Sequence, residues 1–220
     1  GLPLPGIPSD ALLFDLDGDG KLDYLFTDAV ANKLYVLFGD SFNTSSEFAT
    51  GLGPVGLSVG DFDGDGHFDV AAVNSQGGSV TVLWGDGTTL TDSQEIQSVG
   101  TSLVGLDTAD LNRDGHTDLV VASAGNKKLV AIPALANRQF SADRQTIYFD
   151  NTPSAVSADN YDGLYGPDAL VGFSDSRKMA LCTTDENGHL THSYSIDPFG
   201  DLQVDPEGNM VLAASSILSV

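Results

Sequence analysis

An acidic stretch of nine residues returns along the chain at nearly constant spacing. Asp15-Leu-Asp17-Gly-Asp19-Gly-Lys21-Leu-Asp23 comes back as Asp61-Phe-Asp63-Gly-Asp65-Gly-His67-Phe-Asp69. It comes back again as Asp110-Leu-Asn112-Arg-Asp114-Gly-His116-Thr-Asp118. The starts lie 46 and 49 residues apart. A worn fourth copy, with Asp159, Asn160, Asp162 and Asp168, begins 49 residues later. A fifth place in the rhythm, at Asp205, has shrunk to an ordinary turn. Self-similarity at such a period belongs to stacked or radial arrays of one supersecondary unit.

The segments between loops repeat as well. A short strand precedes each loop, as in Val55 to Phe62 or Leu103 to Leu111. Apolar runs follow it: Tyr24-Leu-Phe26, Val70-Ala-Ala-Val73, Leu119-Val-Val-Ala122 and Ala169-Leu-Val-Gly172. A polar turn leads to a third strand, as in Leu34 to Phe38, Val80 to Trp84 and Leu129 to Ile132, and a more polar fourth strand closes the unit. Evenly spaced β-rich runs separated by turn residues predict antiparallel sheet, and four strands in about 47 residues make one propeller blade. The first strands are rich in small residues (Gly56, Ser58, Gly60; Ser102, Gly105; Ser154, Ala155, Ser157), as crowding at a propeller axis demands. The expected fold is therefore an all-β propeller in one domain. Its blades run over roughly 10–54, 55–101, 102–151, 152–198 and 199–220, with an N-terminal strand over 1–9.

Leu37-Phe38-Gly39-Asp40 and Leu83-Trp84-Gly85-Asp86 end the third strands of the first two units. With the acidic loops, they make the chain resemble the FG-GAP/VCBS-type repeats of integrin α-subunit propellers and of many secreted bacterial and fungal proteins. The resemblance is strong over residues 10–150 and weaker beyond, where Ile132-Pro133-Ala134 and Leu181-Cys182-Thr183 lack the aromatic-glycine signature. Family propellers usually have seven blades, whereas this chain holds about five. A closed five-bladed ring and a part of a larger propeller both remain open. Closure would pair Ile217 to Val220 with the N-terminal segment and hide two sheet edges.

Carboxylates at positions 1, 3, 5 and 9 of one short loop repel unless a cation sits among them. All-oxygen ligation by flexible carboxylates and a carbonyl is calcium chemistry. The metal candidates are Asp15, Asp17, Asp19, Lys21 and Asp23; Asp61, Asp63, Asp65, His67 and Asp69; and Asp110, Asn112, Asp114, His116 and Asp118. Position 7 supplies only its carbonyl, so Lys21, His67 and His116 are free to differ. The flanks are strands and position 12 is Phe26, Ala72 or Val121, so this is not an EF-hand. Three Ca2+ ions are expected, with Asp159, Asn160, Asp162 and Asp168 offering a weaker fourth site.

Composition narrows the partners. The chain has 31 acidic and 9 basic residues, a net charge of −22, which excludes nucleic acid. Its single cysteine, Cys182, excludes an internal disulfide and reads as a small core residue. No apolar run reaches the length of a membrane-spanning helix. The sequence starts without Met or a signal peptide, as a mature or trimmed product does. Gly56-Leu-Ser58-Val-Gly60 resembles a nucleophile elbow but runs straight into an acidic loop, and His189 and His192 have no third ligand by spacing. Asn43-Thr-Ser45 is a glycosylation sequon only in a secreted eukaryotic chain.

Weak calcium sites fill where calcium is plentiful, so the chain is expected outside the cell. By resemblance it is a non-catalytic interaction or adhesion module for proteins or carbohydrates. The rival is a carbohydrate-active enzyme, a polysaccharide lyase or hydrolase, on a calcium-bearing propeller. The turns between second and third strands lie at the blade end opposite the acidic loops. Lys33, Lys127, Lys128, Arg177 and Lys178 fall in or beside them, five of only nine basic residues, and form the candidate ligand face.

Overall fold

The apolar run after each acidic loop is nearly continuous rather than alternating, the pattern of a strand covered on both faces. The structure bears this out. It is a computed structural model that describes residues 4–39, 45–161, 163–196, 202–204 and 210–212. These residues form strands and turns with no helix. The first sheet holds β1 (Asp10–Phe14), β2 (Asp23–Asp28), β3 (Lys33–Leu37) and β4 (Ser45–Ala49). The second holds β5 (Pro54–Gly60), β6 (Asp69–Asn74), β7 (Ser79–Gly85) and β8 (Leu90–Ile96). The third begins with β9 (Leu103–Ala109), β10 (Asp118–Ser123) and β11 (Lys128–Ile132). A small hairpin, β12 (Ala134–Leu135) and β13 (Gln139–Phe140), then intervenes before β14 (Gln145–Tyr148) completes that sheet beside β11. The fourth holds β15 (Pro153–Asp159), β16 (Asp168–Phe173), β17 (Met179–Thr184) and β18 (Leu190–Ile196). A last pair, β19 (Leu202–Val204) and β20 (Met210–Leu212), forms a two-stranded sheet. All pairings are antiparallel meanders, and β6 and β10 are buried along their whole length.

The core lies in layers between successive sheets. Leu25, Leu34, Val36, Val70 and Leu83 fill the first junction. Val73, Val82, Trp84, Leu119, Val121 and Ile132 fill the second, and Val120, Leu129, Val171, Ala180 and Cys182 the third. Cys182 is fully buried, and burial pushes its thiol up to about 12, as fits a core residue.

The small residues of the first strands answer to close backbone approach. An added Cβ at Gly105 would meet the Val156 backbone nitrogen at 3.3 Å. The first strands are also wired to one another. Asp10 Oδ2 accepts from Leu57 N at 3.0 Å, Thr108 Oγ1 donates to Val59 O at 3.1 Å, and Asp107 Oδ2 accepts from Ala158 N at 2.9 Å.

The expected N-terminal strand over 1–9 is corrected for its described part: residues 4–9 are not strand. Ile7 N instead donates to Asp28 Oδ2 at 2.8 Å and Ser9 Oγ to Pro54 O at 2.7 Å, tying the segment to the first two sheets. Residues 1–3 and 217–220, on which the closing pair depends, lie outside the described residues, as do Asp205 and the sequon residue Asn43.

Candidate metal centre

Each acidic loop joins the first strand of a sheet to the second, so the three full loops lie at the same end of successive blades. Their backbone is the same. Positions 4 and 6 are left-handed, at φ 73° and 85° in Gly18 and Gly20 and 74° and 86° in Gly64 and Gly66. The third loop keeps this shape with Arg113 at φ 59° and Gly115 at 91°. Nothing lies within 4 Å of a Cβ added to Gly20, Gly66 or Gly115, so the dihedral alone selects glycine there.

The side chains are congruent as well. The position 1 carboxylate accepts from the position 6 amide at 3.0 Å in all three loops (Asp15 from Gly20, Asp61 from Gly66, Asp110 from Gly115). Position 3 accepts from the position 5 amide: Asp17 from Asp19 at 3.1 Å, Asp63 from Asp65 at 3.2 Å and Asn112 from Asp114 at 2.9 Å. Position 5 accepts from position 7: Asp19 from Lys21, Asp65 from His67 and Asp114 from His116. These bonds gather one oxygen each of Asp15, Asp17 and Asp19, and of Asp61, Asp63 and Asp65, to within 4.8 Å of one another. Burial, with Asp23, Asp19 and Asp15 adding repulsion, pushes the Asp17 carboxyl above the usual carboxylate range. Asp15 Oδ1 is buried without a hydrogen-bond partner. Hard oxygen donors converging around an orphaned carboxylate oxygen fit a calcium ion.

Position 9 has a role that spacing alone does not show. Asp23, Asp69 and Asp118 are almost wholly buried, and each spends its two oxygens on two backbone amides. One amide is position 2 of its own loop: Leu16, Phe62 or Leu111, at 2.9 to 3.0 Å. The other, at 2.8 Å, follows the third strand: Gly39, Gly85 or Ala134. Asp168 makes the same pair with Tyr161 and Thr184, both at 3.0 Å. Position 9 is thus a brace between loop and third strand. Burial raises Asp69 and Asp118 to about 6, with the nearby loop carboxylates adding to it. The rest of the fourth loop does not reproduce the cluster among its described residues. Asn160 closes a turn on Gly163 N, Asp159 accepts from Asn160 N, and Asp162 lies outside the described residues.

The brace also explains the aromatic-glycine signature. A Cβ at Gly85 would collide with Phe68 O, and one at Gly39 would stand 2.6 Å from Leu22 O. Glycine lets the third strand press its amide onto the buried Asp beside that carbonyl. Gly85→Ala should therefore cost about 1–3 kcal/mol by overpacking, seen as a lower urea midpoint with an unchanged slope; an unchanged midpoint would refute the close approach.

The position 7 side chains have different neighbours in the three loops. Lys21 Nζ lies 3.0 Å from Asp19 Oδ2, His67 packs on Gly87, and His116 packs on Gly64 of the preceding loop. Of the proposed ligand face, Lys33 pairs with Glu47 at 2.7 Å and Lys127 Nζ donates to Asp150 O at 2.7 Å, while burial lowers Lys128. Sequence reasoning missed Arg138. Its Nε lies 3.0 Å from Asp63 Oδ2, and its guanidinium carbon stands 5.5 Å from the Trp84 ring centre.

Solved propellers share this architecture. A Lactobacillus plantarum protein superposes with a TM-score of 0.65 at 15% identity, over 91% of this chain and 62% of its own. Sequence similarity to the FG-GAP-like repeat family runs over residues 15–72 and 61–121. The chain is a propeller that carries FG-GAP-like repeats. BBS1N, solved in complex with ARL6DN, matches this propeller with a TM-score of 0.58 at 14% identity, covering 94% of this chain and 68% of its own. A putative 6-phosphogluconolactonase from Bacteroides uniformis matches at 0.57 and 14%, covering 91% and 64%. The FG-GAP-like propeller thus spans 62–68% of these neighbours, and at such identities the likeness establishes the fold. No curated protein sequence matches it.

Proposed function

We propose that this propeller is a calcium-stabilised, non-catalytic interaction module that works outside the cell on protein or glycan partners. The observation that carries the reading is the congruence of the three acidic loops, which present the same oxygen donors at one end of successive blades. Calcium would be held by Asp15, Asp17 and Asp19, by Asp61, Asp63 and Asp65, and by Asp110, Asn112 and Asp114. When bound, it neutralises carboxylates that otherwise repel, and its binding free energy goes into the fold. Millimolar affinity, ordinary for extracellular modules, suits a calcium-rich setting.

Two further observations support a binding role. BBS1N, a neighbour of the same fold, was solved with a protein partner. A depression between the third and fourth blades, about 250 Å³, is lined by Asn112, Pro133, Ser141, Asp143, Gln145, Asn187 and His189. That lining offers hydrogen-bonding groups to a polar ligand. The described residues also contain no helix long and apolar enough to cross a membrane.

A glycan array and a surface-protein panel, each probed with and without calcium, test the reading. Retention of a ligand only with calcium is expected; turnover of a polysaccharide would overturn it. For a captured anionic ligand, Arg177→Glu with Lys178→Glu should weaken binding about tenfold at low salt and flatten its salt dependence. Unchanged binding would place the ligand elsewhere.

A further inference from the structure

The acidic loop of the second blade carries a cation of its own, and it comes from the next blade. The hairpin of β12 and β13 leaves the third sheet after Ile132 and returns before Gln145. Phe140 seats it on the second blade, 6.0 Å from Trp84 and 6.2 Å from Phe62 between ring centres. Arg144 Nη1 fixes the chain beyond it by donating to Gln97 O at 3.0 Å and Ser98 O at 3.2 Å. The hairpin tip places both Asn137 (φ 63°) and Arg138 (φ 59°) in the left-handed region. Asparagine visits that region readily, whereas an arginine held there is strained and needs surrounding contacts to offset the cost. Here the contacts are the Arg138 Nε bond to Asp63 Oδ2, at 3.0 Å, and the Trp84 ring beneath the guanidinium.

Asp63 Oδ1 accepts the Asp65 amide at 3.2 Å, as every loop's position 3 does for position 5. The other oxygen, Oδ2, is the one Arg138 holds, so the guanidinium sits on the carboxylate that a cation in this loop would share. The Asp63 side chain is 7% exposed, so the carboxylate that a guanidinium and a divalent ion would contest is largely shielded from water.

We propose that Arg138 is the resident counter-ion of the second loop and leaves Asp63 when a divalent cation is bound there. The inference rests on the calcium reading above. In the metal-free state Arg138 offsets the repulsion among Asp61, Asp63 and Asp65. On loading it gives up the ion pair and shifts over Trp84, so that occupancy in the second blade is felt by a hairpin of the third. The cost of this exchange makes the second loop the site whose calcium affinity is held down by a neighbouring blade.

Trp84 is the only tryptophan and serves as a local reporter. Its emission and the melting temperature of the full chain should be followed in parallel through a calcium titration, in wild type, Arg138→Gln and Arg138→Lys. In wild type, emission should change saturably with calcium. In Arg138→Gln the change should vanish, and calorimetry should show one site tightened about tenfold by removal of the competing charge. Arg138→Lys should keep the weaker affinity. Calcium stabilisation with silent Trp84 emission in wild type would overturn the exchange and leave the calcium reading intact, as would weaker binding in Arg138→Gln. Absence of any calcium stabilisation would overturn both.

Discussion

Chelation of calcium is expected to lower the melting temperature by about 15–30 °C. At a hundredfold excess over a millimolar dissociation constant, about 0.1 M calcium before chelation, each bound ion contributes about 2.7 kcal/mol, and a domain of this size loses about 2–4 °C per kcal/mol. Three ions acting on three congruent loops account for the range. Asp65→Ala should reproduce about a third of the loss, and Asp143→Ala, an exposed residue outside the loops, very little of it. The pH dependence has a definite sign. Folded-state values near 6 for Asp69 and Asp118 lie above the ordinary carboxylate value. The metal-free fold is therefore relieved below about pH 4 and loses stability as pH rises through 6. The gap between loaded and chelated protein should be widest above pH 6 and close towards pH 4. Superimposable melting curves with and without chelator at pH 7.5 would refute the metal assignment.

Removal of the position 9 brace should be damaging without any metal. Asp168→Ala leaves the Tyr161 and Thr184 amides without their acceptor around a fully buried site. Each orphaned amide costs about 1–3 kcal/mol, so the two together should cost about 2–6 kcal/mol. The loss should be equal in calcium and in chelator, because the fourth loop keeps the brace while its described residues form no carboxylate cluster. Asp69→Ala should show this loss in chelator and a larger one in calcium. Equal stability of Asp168→Ala and wild type would remove the brace from the account; a loss confined to calcium would make Asp168 a ligand.

The strands and their order were legible because the period is long and each unit repeats one grammar. Apolar runs such as Val70 to Val73 are buried on both faces, and Pro54–Gly60 forms a first strand where small residues cluster. The gathering of positions 1, 3 and 5 was legible for the same reason. Position 9 was harder, since an Asp that braces two amides is the same letter as an Asp that faces a metal. The discriminating signal was present in the worn fourth copy, where Asp168 persists after the loop around it has changed length. The hairpin at Ala134–Leu135 and Gln139–Phe140 was invisible, because two-residue strands carry no period. Arg138 could not be placed either. It meets Asp63 across 75 residues, and only the packing of Phe140 on Trp84 brings the two together.

The wiring of first strand to first strand has a consequence for how such a molecule changes over generations. Asp10 reaches Leu57, Val59 receives Thr108, and Asp107 reaches Ala158, so each junction is closed by groups that lie near the start of one unit and the start of the next. A tandem duplication of one genetic segment, 46 to 49 codons long, therefore carries a whole sheet together with both halves of a working seam. Lineages can lengthen or shorten the array by unequal recombination without inventing a new joint, and a copy relieved of one task would be free to drift towards another use.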